Sequence, residues 1–174
     1  MVKALLVVDL QEEYFGKDRN RERFGKFEDA GIEEFIKRVN KHIEAHEAAG
    51  NEVIYTQEVL PDTFVFRKFF GHSIKGTKGI ELYKGLKIVG TSRFTKQFGD
   101  AFSNPALKRY IREQGITEVE IAGIDSTKCV YLTAKGAVRY GLKTSMLIDA
   151  IDTIYPQDVE KCERDLKSRG VIYR

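Results

Sequence analysis

The chain is short of several residue types, and each shortage removes a class of protein. Two cysteines, Cys129 and Cys162, are too few for a disulfide scaffold. Three histidines, His42, His46 and His72, leave little material for a zinc site. Three prolines and 15 glycines among 174 residues exclude collagen-like and mucin-like chains. No apolar run approaches the ~18 residues of a membrane-spanning helix. Neither sign of charge dominates. The 29 basic and 26 acidic residues are interspersed and leave a formal net charge of +3, whereas nucleic-acid binders concentrate positive charge.

What remains is ordinary globular material, 42% hydrophobic and 32% charged, in a length that suits one domain spanning 1–174. The opening MVKALLVVDLQEEYF carries a short apolar run that ends at Asp9. Acidic residues follow it with no small-residue cleavage site, so it reads as a buried strand and not as a signal peptide. A reducing cytoplasmic setting with both thiols free is the corresponding expectation.

The pattern alternates strand and helix. Ala4 to Val8 is an unbroken apolar run, as in a strand covered on both faces. Residues 28–49 place Ile32, Phe35, Ile36, Val39 and Ile43 at helical spacing, and Gly50 stops them. Further strands are expected at 52–56, 86–89, 119–122 and 143–148, with a short one at 171–173. Further helices are expected after Asn104-Pro105, from near Thr127 to about Tyr140, and around Val159, Cys162 and Leu166. Residues 57–84 are irregular and rich in phenylalanine, and so long an irregular segment is often functional. The expected architecture is three-layer α/β/α, with a mostly parallel sheet of five or six strands.

Sites in such sheets form at the carboxyl ends of strands. Asp9 closes the first strand. Lys96 is placed just past the third, and Cys129 follows the fourth, where Gly123-Ile124-Asp125-Ser126-Thr127 turns into a helix. A cysteine at a helix N-terminus beside an ammonium gains thiolate character. Asp9 can accept the thiol proton and return it to a leaving amine. Backbone N–H groups around Lys128 and Cys129 can hold an oxyanion. Each residue alone has a plain structural reading, as a buried small hydrophobe, a turn cap or a solvated lysine. Their convergence on three strand ends is what points to chemistry.

Three segments in order carry a family resemblance. The opening motif with Asp9, the stretch KQFGDAF with Lys96, and AGIDSTKCVYLTAKGAVRYG with Cys129 resemble the isochorismatase-like cysteine hydrolases. That superfamily includes nicotinamidases and N-carbamoylsarcosine amidohydrolases. The resemblance spans about residues 3–155. It implies an isochorismatase-like fold, a catalytic set of Asp9, Lys96 and Cys129, and a cis peptide at Ile124–Asp125 in the turn that also holds Lys128. It further implies a small-molecule substrate, a cytoplasmic enzyme, and a homodimer or homotetramer with no nucleic-acid or membrane partner.

Nicotinamidases of this kind carry an aspartate and histidines that bind a metal after the second strand. Here the stretch is Thr56-Gln57-Glu58-Val59-Leu60-Pro61, with Glu58 in the aspartate's place and Leu60 in a histidine's, while His72 resembles a later ligand. No metal and no other cofactor is therefore expected. Candidate pocket residues are Glu58, Phe64, Phe66, His72 and Phe102. The leading function is hydrolysis of an amide or carbamoyl C–N bond through a Cys129 thioester. The alternatives are isochorismatase-type vinyl ether hydrolysis and a silent small-molecule-binding protein of the same fold.

Overall fold

A computed structural model describes residues 2–25 and 29–174. Six parallel strands form one sheet in the order β3-β2-β1-β4-β5-β6. They are β1 (Val2–Val8), β2 (Glu52–Glu58), β3 (Arg93–Lys96), β4 (Ile116–Gly123), β5 (Lys143–Ile151) and β6 (Ile172–Tyr173). The helices are α1 (Glu12–Phe15), α2 (Arg21–Phe24), α3 (Asp29–Ala48), α4 (Phe64–Phe69), α5 (Pro105–Glu113), α6 (Cys129–Arg139) and α7 (Val159–Ser168). Among the described residues no helix is long and apolar enough to cross a membrane.

Continuous apolar strands bury both faces, and the helices divide accordingly. Leu5 and Val7 of β1 face one core with Ile32, Phe35, Val39 and Ile43 of α3. Ala4, Leu6 and Val8 face the other, with Leu107 and Ile111 of α5, Val130 and Ala134 of α6, and Leu166 of α7. This is the three-layer arrangement that the alternation of elements predicts.

Local signals set the helix ends. Asn104 accepts a hydrogen bond from the Ala106 amide at 2.8 Å with Pro105 in the first turn, so α5 begins there. Gly50, at φ 69°, closes α3 in the left-handed conformation that glycine adopts without strain. The predicted start of α3 at residue 28 lies outside the described residues.

The segment 86–89 departs from expectation and is not a strand. Leu86 is buried against the α3 side. The Lys87 amide donates to Asn40 Oδ1 at 2.7 Å, and the Val89 amide to the Tyr55 hydroxyl at 3.0 Å. Side chains satisfy this backbone, so it needs no ladder. The third strand is Arg93–Lys96, and Lys96 is its last residue and not a residue beyond it.

The chain builds β1, β2 and β3 outward to one edge, then returns to lay β4, β5 and β6 the other way. The order therefore reverses between β1 and β4. A crevice opens at the carboxyl ends of the strands at such a reversal, and ligands bind there.

Candidate active site

Asp9 follows β1 and Cys129 follows β4, one on each side of the reversal. Asp9 has φ 53°, in the left-handed region where non-glycine residues are uncommon, so the chain breaks from the strand immediately after Val8. The Asp9 amide donates to Thr56 O at 3.0 Å, which ties the turn to β2. Across the crevice, Gly123 at φ 126° lies so close to β1 that a Cβ there would stand 2.1 Å from Val8 O. Only glycine lets β4 reach that position. The next peptide, Ile124–Asp125, is cis.

Lys96 joins the two. Its ammonium donates to Asp9 Oδ2 at 2.6 Å and to Cys129 Sγ at 3.3 Å. The Lys96 and Asp9 side chains are only 1% and 2% exposed. The other carboxylate oxygen, Asp9 Oδ1, is buried with no hydrogen-bond partner among the described residues. Burial favours a neutral Lys96 amine, but its acidic neighbours, Asp9 foremost, outweigh it and hold the group above its ordinary range. Burial pushes the Cys129 thiol well above its ordinary range. The Asp9 carboxylate adds to that, and Lys96 opposes it. This direction is opposite to the thiolate expected from the sequence: loss of water and the Asp9 charge together outweigh the help of Lys96 and so favour the thiol.

The loop before α6 is held by Asp125. Its Oδ1 accepts from the Thr127 amide at 2.8 Å, the Thr127 hydroxyl at 2.7 Å and the Thr153 hydroxyl at 2.6 Å. Its Oδ2 accepts from the Ile154 amide at 3.0 Å. A carboxylate so occupied is a clamp. Asp125 O accepts the amides of Lys128 and Val130, both at 3.0 Å. The Lys128 amide, expected to face an oxyanion, is thus already bonded. The amides of Asp125 and Cys129 have no hydrogen-bond acceptor among the described residues.

A cavity of about 340 Å³ opens over this set. Asp9, Cys129, Ile124, Asp125 and Lys128 line it from the loop side, and Glu58 and His72 from the β2 side. Tyr14, Phe24, Phe70, Ile154 and Tyr155 complete the wall. Three of the expected pocket residues lie elsewhere. Phe102 is buried in the core beneath α5 and α6, Phe64 is 77% exposed on α4, and Phe66 packs against Phe70 behind the wall. A larger open depression of about 890 Å³ lies alongside, lined by residues such as Lys17, Asp18 and Lys84. It shares only His72 with the cavity.

Sequence reasoning missed Tyr14, Phe24, Ile154 and Tyr155. Two signals were available for them. Tyr14 lies in the same opening motif as Asp9. Ile154 and Tyr155 follow the carboxyl end of β5, the strand beside β4, where a sheet of this order places its ligands.

Isochorismatase domain proteins match residues 3–172 of the chain. The chain belongs to the isochorismatase family. Similar relatives of the family include an uncharacterized isochorismatase family protein of Bacillus subtilis, 25% identical over 162 residues, which are 92% of this chain and 83% of the relative. Among solved structures, the pyrazinamidase of Pyrococcus horikoshii in complex with zinc superposes with a TM-score of 0.81 at 23% identity, covering 100% of this chain and 99% of that one. The N-carbamoylsarcosine amidase of Thermoplasma acidophilum gives 0.80 at 24% identity, covering 100% and 96%. At these identities the two structures establish a shared isochorismatase-like fold.

Of the positions that the resemblance marks for a metal, Glu58 and His72 carry donors and Leu60 does not. Glu58 and His72 stand 3.7 Å apart, and Leu60 is buried at 1% exposure. The His72 Nδ1 atom hydrogen-bonds Ser73 Oγ at 3.1 Å, and the Tyr14 hydroxyl reaches Glu58 Oε2 at 3.4 Å. Among the described residues no group of three or more His, Cys, Asp or Glu could hold a metal ion. Both cysteines are free.

Proposed function

We propose that the protein hydrolyses a small-molecule amide or carbamoyl C–N bond through a thioester on Cys129. The observation that carries this reading is the Lys96 ammonium bridging the Asp9 carboxylate and the Cys129 sulfur at the edge of the cavity. A substrate carbonyl enters above Sγ. Asp9, with one oxygen unpaired, takes the thiol proton as sulfur bonds to the carbonyl carbon. Lys96 remains charged and stabilises the sulfur anion as it forms. The unbonded amides of Asp125 and Cys129 receive the carbonyl oxygen as it gains negative charge. The tetrahedral adduct collapses with C–N cleavage, and Asp9 returns its proton to the leaving nitrogen. Asp9 then takes a proton from water, which attacks the thioester. The acid leaves and the thiol is restored with that proton.

No metal has a role in this sequence, a reading supported by Leu60 standing where the resemblance implies a histidine ligand. Stoichiometric zinc or iron in the purified protein would overturn that part of the reading.

The test is a screen of amides and carbamoyl compounds for ammonia or amine release, with rapid quenching and intact-mass detection. The expected result is turnover, a transient acyl adduct on the peptide containing Cys129, and loss of both in Cys129→Ala. Turnover of isochorismate with no adduct would favour the vinyl ether reaction instead. Turnover unchanged in Cys129→Ala would remove the nucleophile.

A further inference from the structure

The wall opposite Cys129 determines what the rest of the substrate must be. Glu58 ends β2 and lies in register with Lys96 on β3, its backbone about one strand spacing, ~4.8 Å, from that of Lys96. Gln11 fixes it there. The Gln11 side chain, fully buried, donates to Glu58 O at 3.0 Å and accepts from the Glu58 amide at 2.8 Å. The Glu58 side chain is 12% exposed and lines the cavity. Its carboxylate meets the Tyr14 hydroxyl at 3.4 Å, the His72 ring at 3.7 Å and the Ser73 hydroxyl, with the Lys96 charge nearby, and of its roughly four acceptor sites some capacity is left for a donor from the cavity.

Aromatic rings surround this carboxylate. Tyr14 and Phe24 meet edge to face at 4.9 Å between centroids, and His72 lies 5.9 Å from Phe24 and 6.5 Å from Phe70. A carboxylate in a cavity lined by aromatic rings suits a flat group that carries N–H donors or positive charge, because the carboxylate accepts from it and the rings offer a flat group apolar contact. It repels a carboxylate. Among the described residues, the one lysine or arginine lining the cavity is Lys128, and it is drawn to the rim. Its side chain is 53% exposed, 3.8 Å from Asp158 Oδ2 and 4.9 Å above the Tyr155 ring.

We infer that Glu58 is the specificity-determining residue, and that it selects small planar amides or carbamoyl compounds whose remote group bears N–H donors or positive charge. The inference rests on the amidohydrolase reading for its scissile bond, but recognition by Glu58 is measurable without turnover.

The experiment is equilibrium binding of benzamidinium and benzoate, two planar ligands of the same shape and opposite polarity, to the wild-type protein and to Glu58→Gln. Calorimetry at neutral pH is the readout. Wild-type protein should bind benzamidinium at least ~10-fold more tightly than benzoate, and Glu58→Gln should weaken benzamidinium by ~10- to 100-fold. Equal or tighter binding of benzoate, no benzamidinium binding, or benzamidinium affinity unchanged in Glu58→Gln would each overturn the inference. The wild-type comparison decides alone if the variant does not fold. The predicted preference together with failure to hydrolyse any amide would remove the proposed chemistry and leave the recognition standing. Hydrolysis without the preference would do the reverse.

Discussion

Two groups of charges lie at opposite ends of the same strands. Near the amino ends of β1 and β4, Glu120 receives Lys3 at 3.0 Å, His46 at 2.8 Å and Arg174 at 2.9 Å. Its neighbour Glu118 receives Lys3 at 3.3 Å, Lys143 at 3.3 Å and Arg174 at 3.5 Å. Burial pushes both carboxylates up, but their hydrogen bonds and cations prevail and hold them below the ordinary range. At the carboxyl ends, Asp9 has Lys96 on Oδ2, and its buried Oδ1 beside the Cys129 thiol has no hydrogen-bond partner among the described residues. The two amino-end carboxylates are saturated, and losing one partner leaves others in place. The carboxyl-end pair has an open acceptor, a protonated thiol and two unbonded amides around a cavity. Buried charge is common to both ends, and unfilled hydrogen-bonding capacity facing a cavity distinguishes the one proposed to react.

The sharpest way to break this contrast is Asp9→Asn. It keeps the shape and removes the proton acceptor, so turnover should fall by ~10²- to 10⁴-fold in a steady-state assay. A loss below tenfold would place the open oxygen outside the reaction.

The next effect is on stability. Lys96→Met leaves the Asp9 carboxylate buried and unpaired, and urea unfolding at neutral pH should show a loss of about 3–5 kcal/mol. Lys3→Met removes a partly exposed cation from carboxylates that keep other partners, and the loss should be about 0–1 kcal/mol. Similar losses for the two variants would erase the difference between the ends.

The smallest effect is the pH dependence of the saturated end. Burial holds His46 below its ordinary value of 6.5, against the pull of Glu120. As pH falls through 6.5 the unfolded chain binds a proton that the folded chain does not yet bind, so stability declines from there down to the folded pKa. Glu120, held below 4.5, adds a loss of the same sign that begins near 4.5 and continues to its own folded pKa. His46→Gln should flatten the first window and leave the second, as read from urea midpoints across pH. An unchanged slope between pH 6.5 and 4.5 would assign that window to other groups.

These contrasts were legible in the sequence to different degrees. Asp9 and Cys129 were readable because each ends a continuous apolar strand, and the rule that sites form at such ends needs no side-chain detail. Lys96 was placed near the right end for the wrong reason. The apolar stretch 86–89 imitates a strand while packing under α3, whereas the true edge strand, Arg93–Lys96, has the polar composition of an edge. Phe102 lies in the motif segment but fills the core. Tyr155 follows the carboxyl end of β5, a readable signal, but that it reaches this cavity depends on β5 neighbouring β4, which is a fact of topology. The state of the thiol was misjudged because the helix end and Lys96 are visible in sequence, while the depth of burial is not.

The most direct test of the central claim is a thiol titration of Cys129 by its ultraviolet thiolate absorbance, in a Cys162→Ser background, for the wild-type protein and for Asp9→Asn. The account predicts that Asp9→Asn ionises at lower pH, since one cause of the raised thiol pKa is gone while Lys96 remains. It also predicts that this more acidic thiol turns over substrate far more slowly, for want of the group that carries the proton to the leaving nitrogen. A thiol pKa unchanged or raised by Asp9→Asn, or turnover kept at the wild-type rate, would contradict it.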